Sequence, residues 1–200
     1  PFFIPEPIYM VDFDLLGDRI LFIDKGDALD LPENWERKGV ALGEFGSDST
    51  IQAKPERWYF ETIAYGRKEP LHVKVNGSTV YVSFFADAPN PQALEILIAD
   101  WSIPDNPQIV QRITNPRGNE TLNSFDIAAD GFILGIHITK PDENQLTPSL
   151  AFYQRVGNEY QFASEISGLT EQYDFGDSGI IAMDSQSQIK IYDLSDPTLP

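Results

Sequence analysis

Apolar and polar residues alternate along much of this chain with a period of two, the pattern of strands that turn one face to a core. Leu94, Ile96 and Ile98 alternate in this way, as do Ile189 and Ile191. A second pattern joins a β-rich run to a more apolar β run through a Gly or Asp turn. It occurs at 11–23, 72–83, 125–136 and 173–183. Asn76-Gly77 and Asp130-Gly131 are strong hairpin signals, because both residue types tolerate positive φ. The expected turn glycines Gly17, Gly77, Gly131 and Gly179 are spaced by 60, 54 and 48 residues, which sets a repeat of about fifty.

One segment recurs without gaps. Residues 98–107, Ile-Ala-Asp-Trp-Ser-Ile-Pro-Asp-Asn-Pro, align on residues 191–200, Ile-Tyr-Asp-Leu-Ser-Asp-Pro-Thr-Leu-Pro. The shared frame, Ile-x-Asp-x-Ser-x-Pro-x-x-Pro, reads as a strand running into a corner. Asp and Ser hydrogen-bond backbone N–H groups in the turn, and the prolines stop sheet pairing. Hairpin, third strand, corner and outer strand together make a four-stranded up-and-down sheet, the blade of a β-propeller. The expected fold is therefore an all-β propeller, with blade-like repeats at about 8–66, 67–118, 119–168 and 169–200, the last lacking its outer strand.

Within this scheme the first blade takes residues 51–53 as its third strand and 58–63 as its fourth, after an insertion at 29–45. Residues 31–38 of that insertion, with Pro32 near the start, could form a turn or two of helix. The third blade uses 150–156, a hairpin at Gly157-Asn158, and 160–165. Stretches 86–92, 115–121 and 140–147 read as loops. The ring either belongs to a larger propeller or is closed by Phe2-Phe3-Ile4 as a returning strand.

Composition narrows the partners. The formal charge of −17, from 31 acidic and 14 basic residues, repels nucleic acid and leaves no basic stripe for phosphate. It favours solubility and attracts cations or basic partners. With no cysteine there is no disulfide framework and no thiolate chemistry. That suits an extracytoplasmic or cell-surface protein at least as well as a cytosolic one. No apolar run reaches the length of a membrane-spanning helix, and the first residues lack the pattern of a signal peptide. A start at Pro rather than Met suggests that something precedes it. Oligomeric state is not readable.

The Asp-x-Ser-x-Pro-x-x-Pro corner at 100–107 and 193–200, together with Gly77 and Val80-Tyr81-Val82, resembles the LVIVD-type repeats of bacterial β-propellers. The likeness is best over 71–113 and 172–200. Lys54-Pro55-Glu56 and Arg155-Val156-Gly157 stand where the corner would be in the other two repeats. The resemblance implies a propeller fold, often on surface or secreted proteins, and assigns no catalytic residues.

Candidate chemistry is sparse. His72 and His137 are the two histidines, each within a strand-like run. No HExxH, GxSxG or phosphate-binding glycine loop occurs. Asp12, Asp14, Asp24, Asp126, Asp174, Asp177 and Asp184 lie near strand ends, where two of them could act as the acid and second carboxylate of a carbohydrate-active or lactone-active hydrolase. Asp174, Asp177 and Asp184 offer hard oxygen ligands to Ca²⁺, although their spacing is not that of an EF-hand. Trp35 and Trp101 are the candidate rim aromatics; packing between sheets is the default role of such side chains. The leading expectation is a noncatalytic binding or scaffold module whose loops contact a protein or glycan.

Overall fold

The computed structural model describes residues 10–24, 39–45, 51–59, 69–85, 94–103, 106–114, 121–141, 146–176, 179–184 and 186–198. Among them there are no helices and fifteen strands, all in antiparallel sheets. The first sheet runs β1 (Met10–Leu16), β2 (Arg19–Asp24), β3 (Gly39–Phe45) and β4 (Ile51–Tyr59), and the second β5 (Glu69–Asn76), β6 (Thr79–Phe85), β7 (Leu94–Asp100) and β8 (Gln108–Thr114). The third holds β9 (Thr121–Ile127), β10 (Ile133–Pro141), β11 (Leu146–Val156) and β12 (Glu159–Ser167). The fourth has β13 (Leu169–Phe175), β14 (Gly179–Asp184) and β15 (Ile189–Asp193). Spatial order follows chain order in every sheet, so each is a simple meander. This is what tight hairpins between adjacent alternating runs produce.

The chain divides into two compact units, 1–91 with 95–114, and 92–94 with 115–200. In the first unit, β5 is the strand of the second sheet that lies against β1, β2 and β3. Leu21, Ile23, Val73, Val80, Val82, Leu97, Ala99 and Trp101 form its core. In the second unit, β13 lies against β9 and β11. Its core gathers Ala128, Ile133, Leu150, Phe152, Leu169, Ile180, Ala182 and Leu194. Each fully buried aliphatic side chain contributes roughly 1.5–3 kcal/mol, so these two layers supply most of the drive to fold.

Three of the four expected turn glycines carry the backbone they were chosen for, with φ of +63° at Gly17, +60° at Gly77 and +68° at Gly131. Gly179 does not. It begins β14, and a Cβ there would lie 2.6 Å from the Tyr192 carbonyl oxygen. It is needed for the close approach of β15.

The first sheet departs further from expectation. Its third strand is β3, inside the expected insertion, and β4 occupies the whole of 51–59. Glycines at 39 and 43 blur the apolar pattern of β3, and Pro55 reads as a corner. Yet β4 is the outer strand, where a missing N–H costs no ladder bond. Pro55 also falls in a register slip, between the pairs Gly43–Ala53 and Ala41–Trp58. The helical turn at 31–38 and the returning strand Phe2-Phe3-Ile4 lie outside the described residues. The expected loop at 140–147 is shorter, since β10 runs to Pro141 and β11 starts at Leu146.

Candidate functional site

The repeated corner is a structural device. Asp100 Oδ1 accepts the Ser102 N–H at 2.8 Å, and Asp193 Oδ1 accepts the Ser195 N–H at the same distance. These bonds hold both carboxyls below the usual aspartate value. In each copy the residue between Asp and Ser turns inward. Trp101 is 3% exposed in the first core, and Leu194 is buried at the matching place in the second. The Trp101 backbone N–H also donates to the Ser78 carbonyl at 2.7 Å. Trp101 therefore offers no ring to a ligand, because the corner drives that position into the core. Trp35 lies outside the described residues.

Of the three candidate Ca²⁺ ligands, Asp174 and Asp184 are described, and these two stand apart. Asp174 pairs with Ile181 across β13 and β14, three residues before Asp184 on β14. At about 3.3 Å per residue that sets the two roughly 10 Å apart along the strand. Asp184 Oδ1 is engaged by the Gln186 and Gln188 N–H groups, and the Lys190 ammonium lies 3.5 Å from Oδ2. The Gln188 amide first, with the Gln186 amide and Lys190, outweighs desolvation and keeps its carboxyl below the usual value. Asp177, and the side chain of Asp24, lie outside the described residues. Among the described residues no three His, Asp or Glu side chains come together as a metal set.

Asp12 and Asp14 serve an edge strand. Asp12 Oδ2 accepts the Val73 N–H at 3.0 Å, and Asp14 Oδ2 accepts the Val75 N–H at 2.7 Å. Val73 and Val75 belong to β5, the edge of its sheet, so these carboxylates cap donors that no strand satisfies. Burial pushes the Asp12 carboxyl up. Hydrogen bonds from His72, Val73 and Phe13, with the His72 charge, more than reverse this and leave it below its ordinary value. A general acid needs the opposite shift. His72 lies 3.4 Å from Asp12, while His137, buried on β10, has Nε2 3.1 Å from the Leu169 carbonyl. Each histidine has a structural partner in its own unit.

Among the described residues of the second unit there is a cleft with a volume of about 180 Å³. Asp130 and Phe132 of the β9–β10 turn, Phe175 and Gly176 after β13, and Leu194 and Ser195 of the corner line it. Its aromatic lip is held firmly. Phe132 donates its N–H to Asp130 Oδ1 at 2.8 Å and accepts from the Arg155 N–H at 2.8 Å. The buried Tyr160 hydroxyl donates to the Gly131 carbonyl beside it. The backbone of Phe132 is bonded on both sides, while its side chain leaves the residue 41% exposed. Sequence reasoning passed over these residues, although an aromatic directly after the Asp130-Gly131 turn was the available signal.

The cleft thus joins apolar walls to a carboxylate and a hydroxyl on a fixed backbone, the composition of a small binding site. Compared with family models and with curated proteins, the chain matches none.

Proposed function

We propose that these sheets are consecutive blades of a β-propeller of the LVIVD-repeat type, acting as a noncatalytic binding or scaffold module. The ligand, a protein or a glycan, would sit on the face that carries the β9–β10 turn and the Asp193–Ser195 corner. The cleft lined by Phe132 is the observation that carries this reading: an exposed ring sharing a cleft with Asp130 and Ser195 can stack on a sugar or hold an apolar side chain while the polar groups orient it. The meander order of all four sheets and the matching corners support the propeller. Asp12 and Asp14, already engaged by the backbone N–H groups of β5, weigh against a hydrolase that would use them. Net charge directs the choice away from nucleic acid. Among the described residues no helix is long and apolar enough to cross a membrane.

The test is a glycan array and a displayed peptide library probed with the wild-type chain and with Phe132→Ala. A ligand bound by the wild type should bind at least roughly tenfold more weakly to the variant, the weight of one aromatic anchor. The variant's melting temperature should be unchanged. Binding indifferent to Phe132, or turnover of glycoside or lactone substrates, would overturn the proposal.

A further inference from the structure

The cleft of the second unit has a chemical bias set by which of its groups are already engaged. Three lining amides are spent inside the protein: the Phe132 N–H on Asp130 Oδ1 at 2.8 Å, the Gly176 N–H on the Gly179 carbonyl at 2.9 Å, and the Ser195 N–H on Asp193 Oδ1 at 2.8 Å. What these bonds leave for a ligand is acceptor oxygen and carboxylate charge. An ionised aspartate accepts about four hydrogen bonds, and the Phe132 N–H fills one of them at Asp130. Asp130 is exposed, and among the described residues no lysine or arginine pairs with it. At the corner, Asp193 is exposed too, and its bonds to Ser195 keep its carboxyl below the usual value. Arg155, whose N–H meets the Phe132 carbonyl, turns its guanidinium Nε to the Gly157 carbonyl at 3.2 Å and does not line the cleft.

Two phenylalanines share the lining with these groups. Phe132 is the exposed one. Phe175 is fixed, since its ring meets Tyr173 edge to face with centroids 6.0 Å apart, and a Cβ at Gly135 would come within 2.6 Å of its Cζ. The face of such a ring carries partial negative charge and attracts cations. Acceptor oxygen, carboxylate and π-face together form a set that a cation satisfies and that a neutral group uses only in part. The volume of about 180 Å³ lies below the roughly 300–1,000 Å³ of pockets that enclose a whole drug-sized ligand. It suits the end of one long side chain. Lysine and arginine lay an apolar stem along residues such as Ile133 and Leu194 and end in a head that only donates.

We propose that the cleft receives a lysine or arginine side chain from a basic segment of a partner protein, its charged head held by the Asp130 carboxylate and the Phe132 ring. This rests on the ligand-binding reading of the cleft and narrows the ligand from a protein or glycan to a cationic protein segment. The formal charge of −17 draws such a segment toward the chain, an attraction that a neutral glycan does not share. The cleft then supplies the place where one side chain is read.

The test is an array of basic peptides, each printed beside a copy with its lysines acetylated and its arginines replaced by glutamine, probed with the wild-type chain at physiological salt. Affinities of the peptides that bind are then measured against three variants. Asp130→Asn removes the charge but keeps the oxygen that accepts the Phe132 N–H, and asparagine before glycine suits the same turn. Asp18→Asn removes one charge from an exposed turn outside the cleft. Phe132→Ala removes the ring. Basic peptides should bind wild type and Asp18→Asn alike, about fivefold or more weakly to Asp130→Asn and roughly tenfold more weakly to Phe132→Ala, while the neutral copies should not bind. Circular dichroism checks folding, and the neutral copies test the need for charge on the wild type whatever the variants do. An array without a bound basic peptide, equal losses in Asp130→Asn and Asp18→Asn, or neutral copies that bind like their parents would overturn this inference. So would a glycan or an uncharged peptide as the ligand lost in Phe132→Ala, an outcome that leaves the binding reading standing. Binding indifferent to Phe132 removes both.

Discussion

Aspartate does three kinds of work in this chain, separated by where each carboxylate points. Asp100, Asp193 and Asp184 fold onto amides two to four residues ahead and shape turns. Asp12 and Asp14 reach across to another sheet and take the N–H groups of its edge. Asp130 orients the aromatic lip of a cleft. Of these, Asp12 has a consequence that titration can read. Its folded pKa is depressed, so its stabilising effect is complete above the unfolded aspartate pKa of about 3.9 and is lost as pH falls through the folded value. The melting temperature of wild type should therefore fall more steeply between about pH 5 and pH 3 than that of Asp12→Asn. Equal slopes in the two proteins would show that Asp12 is not coupled to folding.

Among the elements, the corner explains why one tryptophan is buried. The frame Asp-x-Ser requires a turn closed by the aspartate, and that turn points the middle side chain at the core. A tryptophan and a leucine fill this position in the two copies, so volume there is adjustable while polarity is not. Trp101→Ala should cost about 3–5 kcal/mol in urea unfolding, as for a buried aromatic truncation. A cost below about 0.5 kcal/mol, the scale of surface changes, would return Trp101 to a surface role. The same reasoning shows which strands were legible. Hairpins at Gly17 and Gly77 announce themselves, because the turn chemistry and the flanking alternation agree. β3 and β4 were misread, since Gly39, Gly43 and Pro55 look like loop residues until the strand's place at the sheet edge is known. Gly179 was misread for the opposite reason: a strand glycine demanded by a neighbouring carbonyl has the same letter as a turn glycine.

For the molecule as a whole, the formal charge of −17 bears on every contact it makes. Self-repulsion opposes the compact state, and added salt screens it, the Debye length falling from about 30 Å at 0.01 M to about 3 Å at 1 M. The melting temperature should rise with sodium chloride across that range, as scanning fluorimetry would record, and a fall would mean that local ion pairs outweigh the net charge. By itself the sequence determined the all-β class, the hairpins at Gly17, Gly77 and Gly131 and the aspartate-closed corners, because these depend on alternation and on backbone chemistry within a few residues. Only the tertiary structure decided which carboxylates cap a foreign strand, that Trp101 is core and that Phe132 lines a cleft. Each of these turns on what lies opposite a side chain in space, and residues such as Asp12 and Val73, sixty-one positions apart, carry no local trace of one another.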